Sequence, residues 1–220
     1  MVFPDLSTSL DGHLGSGPEG TTVGGLSVAD RSNMRHAKLT FSFAKSVAGV
    51  GRRIASLANC PHLLVSPLTS LAAMDEFVEV LSLASGQEVP MRLLRERDRL
   101  MDRMVDAHSY FAGQRIVLAG EPDWLYATEM GVKAMGAKIV EKYAAVSPES
   151  CGHDTAWKIG DFDLLERDCQ ALAPEQRPDL LLSNSHGKQS AQRLGIEFLS
   201  MGLPVWDRLG VPLESCVCHV

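Results

Sequence analysis

The feature that most constrains the fold is an alternation of short apolar runs, each of strand length, with longer segments of helical periodicity. Arg115–Ala119 reads as a strand, and Lys138–Ala144 reads as another. Between them, Pro122 begins a helix that runs to Met135 and stops at Gly136. Because a helix returns the chain to the same end of the sheet, this pattern predicts parallel strands in an α/β protein.

The same alternation continues toward the carboxyl end. Asp161 is a helix-capping residue, and the residues that follow predict a helix through Leu172, a strand Leu180–Ser183, a helix Gly187–Leu194 and a last short strand at residues 204–206. Roughly four parallel strands are implied. The expected fold class is therefore α/β, with Rossmann-like parallel sheets flanked by helices.

The first half of the chain is predicted to hold a smaller α/β unit. Ser27 and Asp30 form the pattern of a capping box, which predicts a short helix after Ser27. The predicted elements that follow are a strand at 38–43, a helix at 46–58, a strand at 62–66, a helix at 71–84 closed by Gly86, and the long helix Met91–Phe111. We expect a partial Rossmann-like domain in residues 1–90, a bridging helix in 91–113, and a second Rossmann-like domain in 114–220.

Composition excludes several classes of protein. The net charge of -6, with acids and bases interspersed, does not predict a nucleic-acid-binding surface. No run approaches the roughly 20 apolar residues of a membrane span, and the first residues lack the order of a secretory signal. Five scattered cysteines do not indicate a disulfide framework. We expect a cytoplasmic protein without a nucleic-acid or membrane partner.

Loops at the carboxyl ends of the predicted strands are the places where parallel sheets bind ligands: residues 4–14, 66–70, 120–123 and 183–188. The loop at 120–123 has one glycine and the two carboxylates of Glu121 and Asp123, which would repel a pyrophosphate, so nucleotide binding there is excluded. Glu121 and Asp123 remain candidates for contact with a cofactor or a partner. The alternative is that both acids simply favour the helix N-terminus.

The run Ser183, Asn184, Ser185 and His186 is the most site-like loop, because four side chains that can hydrogen-bond lie between a strand and a helix. These residues are also candidates for cofactor or partner contact. The alternative is that they cap the helix and pack beside it. No residue is predicted to be catalytic.

Metal binding is not predicted. Cys216, Cys218 and His219 have suitable donor atoms but lack a second pair of ligands. His153, near Cys151 and Asp154, is a weaker candidate still, because a polar loop often contains such residues by chance.

Two blocks of the sequence carry a family resemblance. ERDRLMDRMVDAHSYFAGQRIVLAGEPDWL at 96–125 and LLLSNSHGKQSAQRLGIEFLSMGLPVWDRLG at 180–210 resemble β-type subunits of the nitrogenase component 1 family. PDLSTSLDGHL at 4–14 and CPHLLVSPLTSLAAMDEF at 60–77 resemble its NifN-type branch. Subunits of this family are about twice as long, so the resemblance implies a natural start upstream, and it ends after Gly210, where the chain reads VPLESCVCHV.

The resemblance implies a scaffold for assembly of the iron–molybdenum cofactor rather than a catalyst. It implies a NifE-like subunit as the partner in a heterotetramer, and the Fe protein as a second partner. An iron–molybdenum cofactor precursor and an iron–sulfur cluster would belong to the intact complex, and none is expected for this chain alone. The alternatives are a β-type subunit of a catalytic nitrogenase, which is an oxidoreductase, a free-standing binding protein for a small ligand, and a non-functional fragment.

Overall fold

A computed structural model describes residues 26–65, 67–153 and 156–206. The chain divides into two compact units, one made of residues 26–42 and 48–63, and the other of residues 43–47 and 64–206 in the described part. The division of the sequence into domains at residues 90 and 114 stays a prediction. The loop at 4–14 lies outside the described residues, as do Cys216, Cys218 and His219, which were not predicted to bind metal.

The second unit is built on a five-stranded parallel sheet, which confirms the predicted fold class. Its strands lie in the order β5-β4-β3-β6-β7. They are β3 Arg115–Ala119, β4 Lys138–Ala144, β5 Lys158–Ile159, β6 Leu180–Ser183 and β7 Glu197–Ser200. The central strand β3 is apolar on both faces, as expected for a parallel strand that helices cover on either side.

Helices pack on both faces of this sheet: α5 is Pro122–Ala134, α6 is Phe162–Ala171 and α7 is Gly187–Leu194. On one face, Leu125 of α5 packs with Ile116 and Leu118 of β3. On the other face, Leu165 of α6 and Ala191 of α7 belong to the cluster that includes Val117 and Leu181. The core therefore consists of two apolar layers separated by the sheet.

The helix caps form as predicted. Asp161 accepts a hydrogen bond from the Leu164 backbone N–H at the start of α6, and Gly195 ends α7 in the left-handed conformation. Pro122 occupies the first turn of α5. The bounds predicted for β3, β4, β6 and α7 are confirmed.

One strand was predicted in the wrong place. Residues 204–206 do not form a strand, and the strand that pairs with β6 is instead Glu197–Ser200. Its short sequence places Glu197 and Leu199 toward solvent and half-buries Phe198 and Ser200. A glutamate and a serine in four residues weaken the apolar pattern that identifies a strand. The run at residues 204–206 has the apolar composition of a strand without forming one.

The first unit contains helix α1 Val28–Asn33, strand β1 Thr40–Ser42, helix α2 Ala48–Ala58 and most of strand β2 His62–Leu64. The Ser27–Asp30 capping box forms as predicted. Strands β1 and β2 form a two-stranded sheet, in which Ser42 Oγ lies 3.0 Å from His62 Nε2. Gly51 of α2 allows a close approach here, because a Cβ at this position would clash with both side chains.

Two further helices precede the five-stranded sheet: α3, Leu71–Ser85, and α4, Met91–Phe111. A bidentate ion pair links them, with Arg97 Nε 2.7 Å from one Asp75 oxygen and Nη2 2.9 Å from the other. None of the 21 residues of α4 is fully buried, although Phe111 at its end packs against the core. Leu93, Leu94, Met101 and Val105 are all exposed.

Within the described ranges, no helix combines the length and the apolar character needed to cross a membrane.

An ion pair joins the starts of β3 and β6. Arg115 Nη2 lies 2.5 Å from Asp179 Oδ1, while Arg115 Nε and its backbone N–H donate to Oδ2 at 3.0 and 2.9 Å. These hydrogen bonds hold the pKa of Asp179 below its ordinary value of 3.8. Because the folded pKa lies below the unfolded pKa, the carboxylate stabilises the fold above the unfolded value and loses this contribution as the pH falls through the folded one.

We therefore expect Asp179→Asn to be less stable than the wild type at pH 7, and the difference to shrink as the pH falls below about 4. Urea denaturation at several pH values measures it. Asp102→Asn, which removes an exposed carboxylate from α4, is the control and should show no such pH dependence. An Asp179→Asn difference that is constant from pH 7 to pH 3 would contradict the assignment.

Candidate functional site

The candidate site lies at the carboxyl edge of the five-stranded sheet. From β3 the chain first builds β4 and β5 on one side and then crosses to build β6 and β7 on the other. The direction of construction therefore reverses between β3 and β6. In open parallel sheets, the crevice beyond the strand ends at such a reversal is where ligands bind. The loops that flank it are residues 120–123 and 183–186, the two loops singled out from the sequence.

Glu121 caps helix α5. Its Oε2 accepts a hydrogen bond from the Trp124 backbone N–H at 3.2 Å, and its side chain is exposed. A carboxylate in this position also interacts favourably with the positive end of the helix dipole. Glu121 therefore stabilises the helix N-terminus, which was the alternative considered from the sequence. Its exposed carboxylate also remains accessible to a partner.

Asp123 holds three parts of the chain together. Its Oδ1 accepts hydrogen bonds from the backbone N–H groups of Lys45 at 3.0 Å and Ser46 at 3.4 Å, and the Ser46 hydroxyl donates to Oδ2. His153 Nε2 lies 2.9 Å from the same Oδ1. Because these donors occupy both oxygens, the Asp123 carboxylate acts as an internal anchor for residues 45–46 and His153.

His153 is a buried partner of this anchor, and its side chain has no exposed surface. The ring packs edge-on against Tyr126 and Trp157, with centroids 5.4 and 5.3 Å away. A carboxylate oxygen accepts hydrogen bonds, so Nε2 is the nitrogen that donates to Asp123. Nδ1 is buried and has no partner among the described residues.

A cavity of about 150 Å³ opens beside Asp123. Its walls are mostly apolar, and the Lys45 ammonium lies 5.1 Å from the centroid of the Tyr126 ring, where it makes a cation–π contact. Its lining consists of Phe43, Ala44, Lys45, Leu64, Val65, Pro67, Asp123, Tyr126 and Ala127. The space suits a single side chain or a few water molecules, and it is smaller than most ligand pockets.

The other loop binds the segment that follows β7, residues 201–206, which we call the strap. Asn184 Nδ2 donates to the Leu203 carbonyl at 3.1 Å. Ser185 bonds the strap twice, because its N–H donates to the Pro204 carbonyl at 3.2 Å and its Oγ accepts from the Trp206 N–H at 3.2 Å. The exposed ring of His186 packs against Trp206, with centroids 5.5 Å apart.

Ser183 is fully buried, and its hydroxyl donates to the Ala119 carbonyl at 2.7 Å. This bond joins the ends of β6 and β3 directly below the crevice. Of the six residues predicted from the sequence, His186 and Glu121 present exposed side chains, while Ser183, Ser185 and Asp123 direct their hydrogen bonds inward. A role for any of them in binding stays a prediction.

The crevice itself holds the indole of Trp124. A Cβ placed on Gly120 would lie 2.7 Å from this ring, and one placed on the strap residue Gly202 would lie 2.8 Å from its Nε1. The absence of a side chain at both glycines is what admits the indole. Its Nε1–H is buried without a hydrogen-bond partner in the described residues.

The resemblance assigns an iron–sulfur cluster to the intact complex, and the donor atoms of the described residues do not form a ligand set for one. Among these residues, no group of three or more His, Cys, Asp or Glu side chains could hold a metal ion. Metal ligation by cysteine needs the thiolate, and burial, with a smaller contribution from the Asp168 charge, raises the pKa of Cys169 to about 11. We assign no cysteine a ligand role.

Sequence reasoning missed the partnership of Asp123 with His153 and residues 45–46. His153 was considered only for metal binding, beside Cys151, and the structure gives it a structural contact with Asp123 instead. Thirty residues separate the two positions, and nothing in the spacing links them. Alternating apolar and helical segments predict which loops meet at the sheet edge, but they do not predict which side chains pair there.

Comparison with known proteins supports one family. The sequence profile described as "Nitrogenase component 1 type Oxidoreductase" matches residues 7–218, and so extends past Gly210. The protein named "Nitrogenase iron-molybdenum cofactor biosynthesis protein NifN" is 35% identical in Sinorhizobium fredii, over 96% of this chain and 44% of the relative. The protein of the same name in Nostoc is 34% identical, over 96% of this chain and 46% of the relative.

A β-type relative and a solved structure also match. The "Nitrogenase molybdenum-iron protein beta chain" of Clostridium pasteurianum is 29% identical over 96% of this chain and 48% of its own length. A chain of "Nitrogenase Cp1 at pH 6.5" superposes with a TM-score of 0.81 and 27% identity, covering 94% of this chain and 47% of that chain. The chain thus spans about half the length of the relatives that it matches.

Proposed function

Because this chain belongs to the nitrogenase component 1 type oxidoreductase family, we propose that it forms part of a NifN-type scaffold subunit for assembly of the iron–molybdenum cofactor. The observation that carries the proposal is the similarity to NifN proteins, which extends over nearly all of the chain and exceeds the similarity to the β chain. The intact subunit would work in the cytoplasm, pair with a NifE-like subunit in a heterotetramer, and meet the Fe protein.

This chain would contribute a contact surface to such a complex. The exposed His186 ring and the exposed Glu121 carboxylate flank the crevice from its two loops. Asp123, Ser183, Asn184 and Ser185 hold these loops in place through the contacts described above. A cofactor precursor and an iron–sulfur cluster would belong to the intact complex.

The first experiment is anaerobic co-purification of the chain with a tagged NifE-type subunit, followed by metal analysis. A stable complex that contains iron supports the scaffold proposal. Recovery of aggregated or metal-free protein without NifE contradicts it and favours the alternative of a non-functional fragment.

Substitutions in the two loops test the contact surface. We expect His186→Ala, and the charge-removing Glu121→Gln, to weaken capture by the NifE-type subunit. His36→Ala removes an exposed histidine from the first unit and serves as the matched control. Equal capture of all three variants and the wild type would remove these loops from the proposed contact.

A β-type subunit of a catalytic nitrogenase is the second candidate. The TM-score of 0.81 to a nitrogenase chain and the match to the Clostridium β chain favour it. Substrate reduction by the chain together with a cognate α subunit would support this function over the scaffold, whereas complex formation with NifE alone would not.

A further inference from the structure

We propose that the Trp124 indole is a removable plug of the crevice between β3 and β6, and that the strap at residues 201–206 opens to release it while the rest of the sheet stays folded. The crevice is then a closed site rather than a permanent part of the core. This inference concerns the motion of the chain itself and does not depend on the proposed function.

The unpartnered Nε1–H of Trp124 is the first observation. A buried donor without an acceptor loses its hydrogen bonds to water and gains nothing in return, which disfavours the closed arrangement. Trp157 provides a contrast in the same unit, because its Nε1–H donates to the Val146 carbonyl at 2.7 Å. One indole is therefore fixed by a hydrogen bond, and the other is held in place by packing.

The second observation is that the end of the strap, residues 203–206, has few buried apolar contacts. Hydrogen bonds to Ser183, Asn184 and Ser185 hold the strap, and Met201 at its start packs against the core. Leu203 is 74% exposed and Trp206 is 59% exposed. Segments with few buried apolar contacts open at lower free energy than the core to which they are attached. Residues of β3 and β6, by contrast, are almost entirely buried.

The third observation is that the two ends of the plug depend on different elements. Gly120 follows β3 and belongs to the sheet, whereas Gly202 belongs to the strap. Opening of the strap therefore removes one wall from the indole and leaves the other in place. Water then reaches Nε1, and the donor that was unpartnered gains an acceptor.

Hydrogen exchange of the indole protons in the full 220-residue chain tests the proposal by NMR. We expect the Trp124 Nε1–H to exchange together with the backbone N–H of Met201, which donates to the Ser183 carbonyl. Both should exchange well before the Trp157 Nε1–H and before the amides of Val117 and Leu118, which require opening of the sheet.

Variants give the second arm of the test. Ser185→Ala removes the acceptor of the Trp206 N–H, so it should speed exchange of the Trp124 indole by about fivefold, the effect of losing one hydrogen bond. The Trp157 indole should not change. Ser150→Ala is the matched control, because that hydroxyl donates to the Ser147 carbonyl in a separate turn.

Asn184→Ala removes a different hydrogen bond to the strap, the one from Asn184 Nδ2 to the Leu203 carbonyl. It replaces Ser185→Ala if that variant does not fold. Exchange of the Trp124 indole at the rate of the β3 amides, unchanged in both strap variants, would overturn the proposal. The same accelerated exchange in Ser150→Ala would also overturn it, since the effect would then be a general loss of stability.

Discussion

Replacing Glu129 by glutamine is expected to destabilise the second unit by about 3 kcal/mol, because it leaves a buried ammonium group without its acid. Glu129 of α5 accepts from Lys142 Nζ at 2.5 Å and from Lys133 Nζ at 2.6 Å. Lys142 projects from β4 and is only 9% exposed. Chemical denaturation at neutral pH measures the loss.

Three further variants distinguish a charge effect from a packing effect. Lys133→Gln removes only the exposed partner and should cost less than about 1 kcal/mol. The double variant Glu129→Leu with Lys142→Met removes both buried charges and should recover most of the stability. If Glu129→Gln lowers the stability by less than Lys133→Gln does, the buried pair contributes little.

The loss should also depend on pH. Burial raises the pKa of Glu129, but the hydrogen bonds from Lys133 and Lys142 outweigh it and leave the pKa below the ordinary 4.5. The ionised carboxylate therefore stabilises the fold above the unfolded pKa, and this contribution is lost as the pH falls through the folded value. The difference between Glu129→Gln and the wild type should shrink accordingly below about pH 4.5.

Asp123→Ala is the second substitution with a large expected effect. We expect it to destabilise the protein by about 3 kcal/mol and to loosen the packing of residues 43–47. The carboxylate accepts from the backbone N–H groups of Lys45 and Ser46, and removing it leaves these donors and His153 Nε2 without their acceptor. Hydrogen exchange should show faster exchange at the Lys45 and Ser46 amides, and denaturation should show the lower stability.

The neighbouring acid supplies the control. Glu121→Ala removes a helix cap from the same turn and should cost about 1 kcal/mol without speeding exchange at Lys45 or Ser46. Asp123→Asn keeps one oxygen acceptor and should fall between the two. Slow exchange at Lys45 and Ser46 in Asp123→Ala would show that the 43–47 segment is held by contacts other than this carboxylate.

The elements that sequence analysis predicted correctly are those with a strong local signal. Strands β3 and β6 are largely apolar runs of strand length, and α5 begins at a proline and stops before a glycine. Strand β7 was missed because its pattern is weak, and its formation depends on pairing with β6. Pairing is a tertiary interaction that the periodicity of four residues cannot reveal.

The candidate site was only partly predictable for the same reason. The position of the two loops follows from the parallel direction of the strands, which the sequence indicated. The contacts of those loops come from distant residues, such as Lys45 with Asp123 and Trp124 with Gly202. No spacing rule links these positions, so the plug and the anchor became visible only in the folded chain.

The central position of β3 has a consequence for synthesis on the ribosome. The chain makes β3 first and can pair one of its edges as soon as β4 emerges, but the partner for the other edge is Leu180–Ser183. At roughly 5–20 residues per second, that edge waits on the order of a few seconds. During this interval the growing polypeptide presents an apolar, unpaired strand edge, which is a suitable target for nascent-chain chaperones.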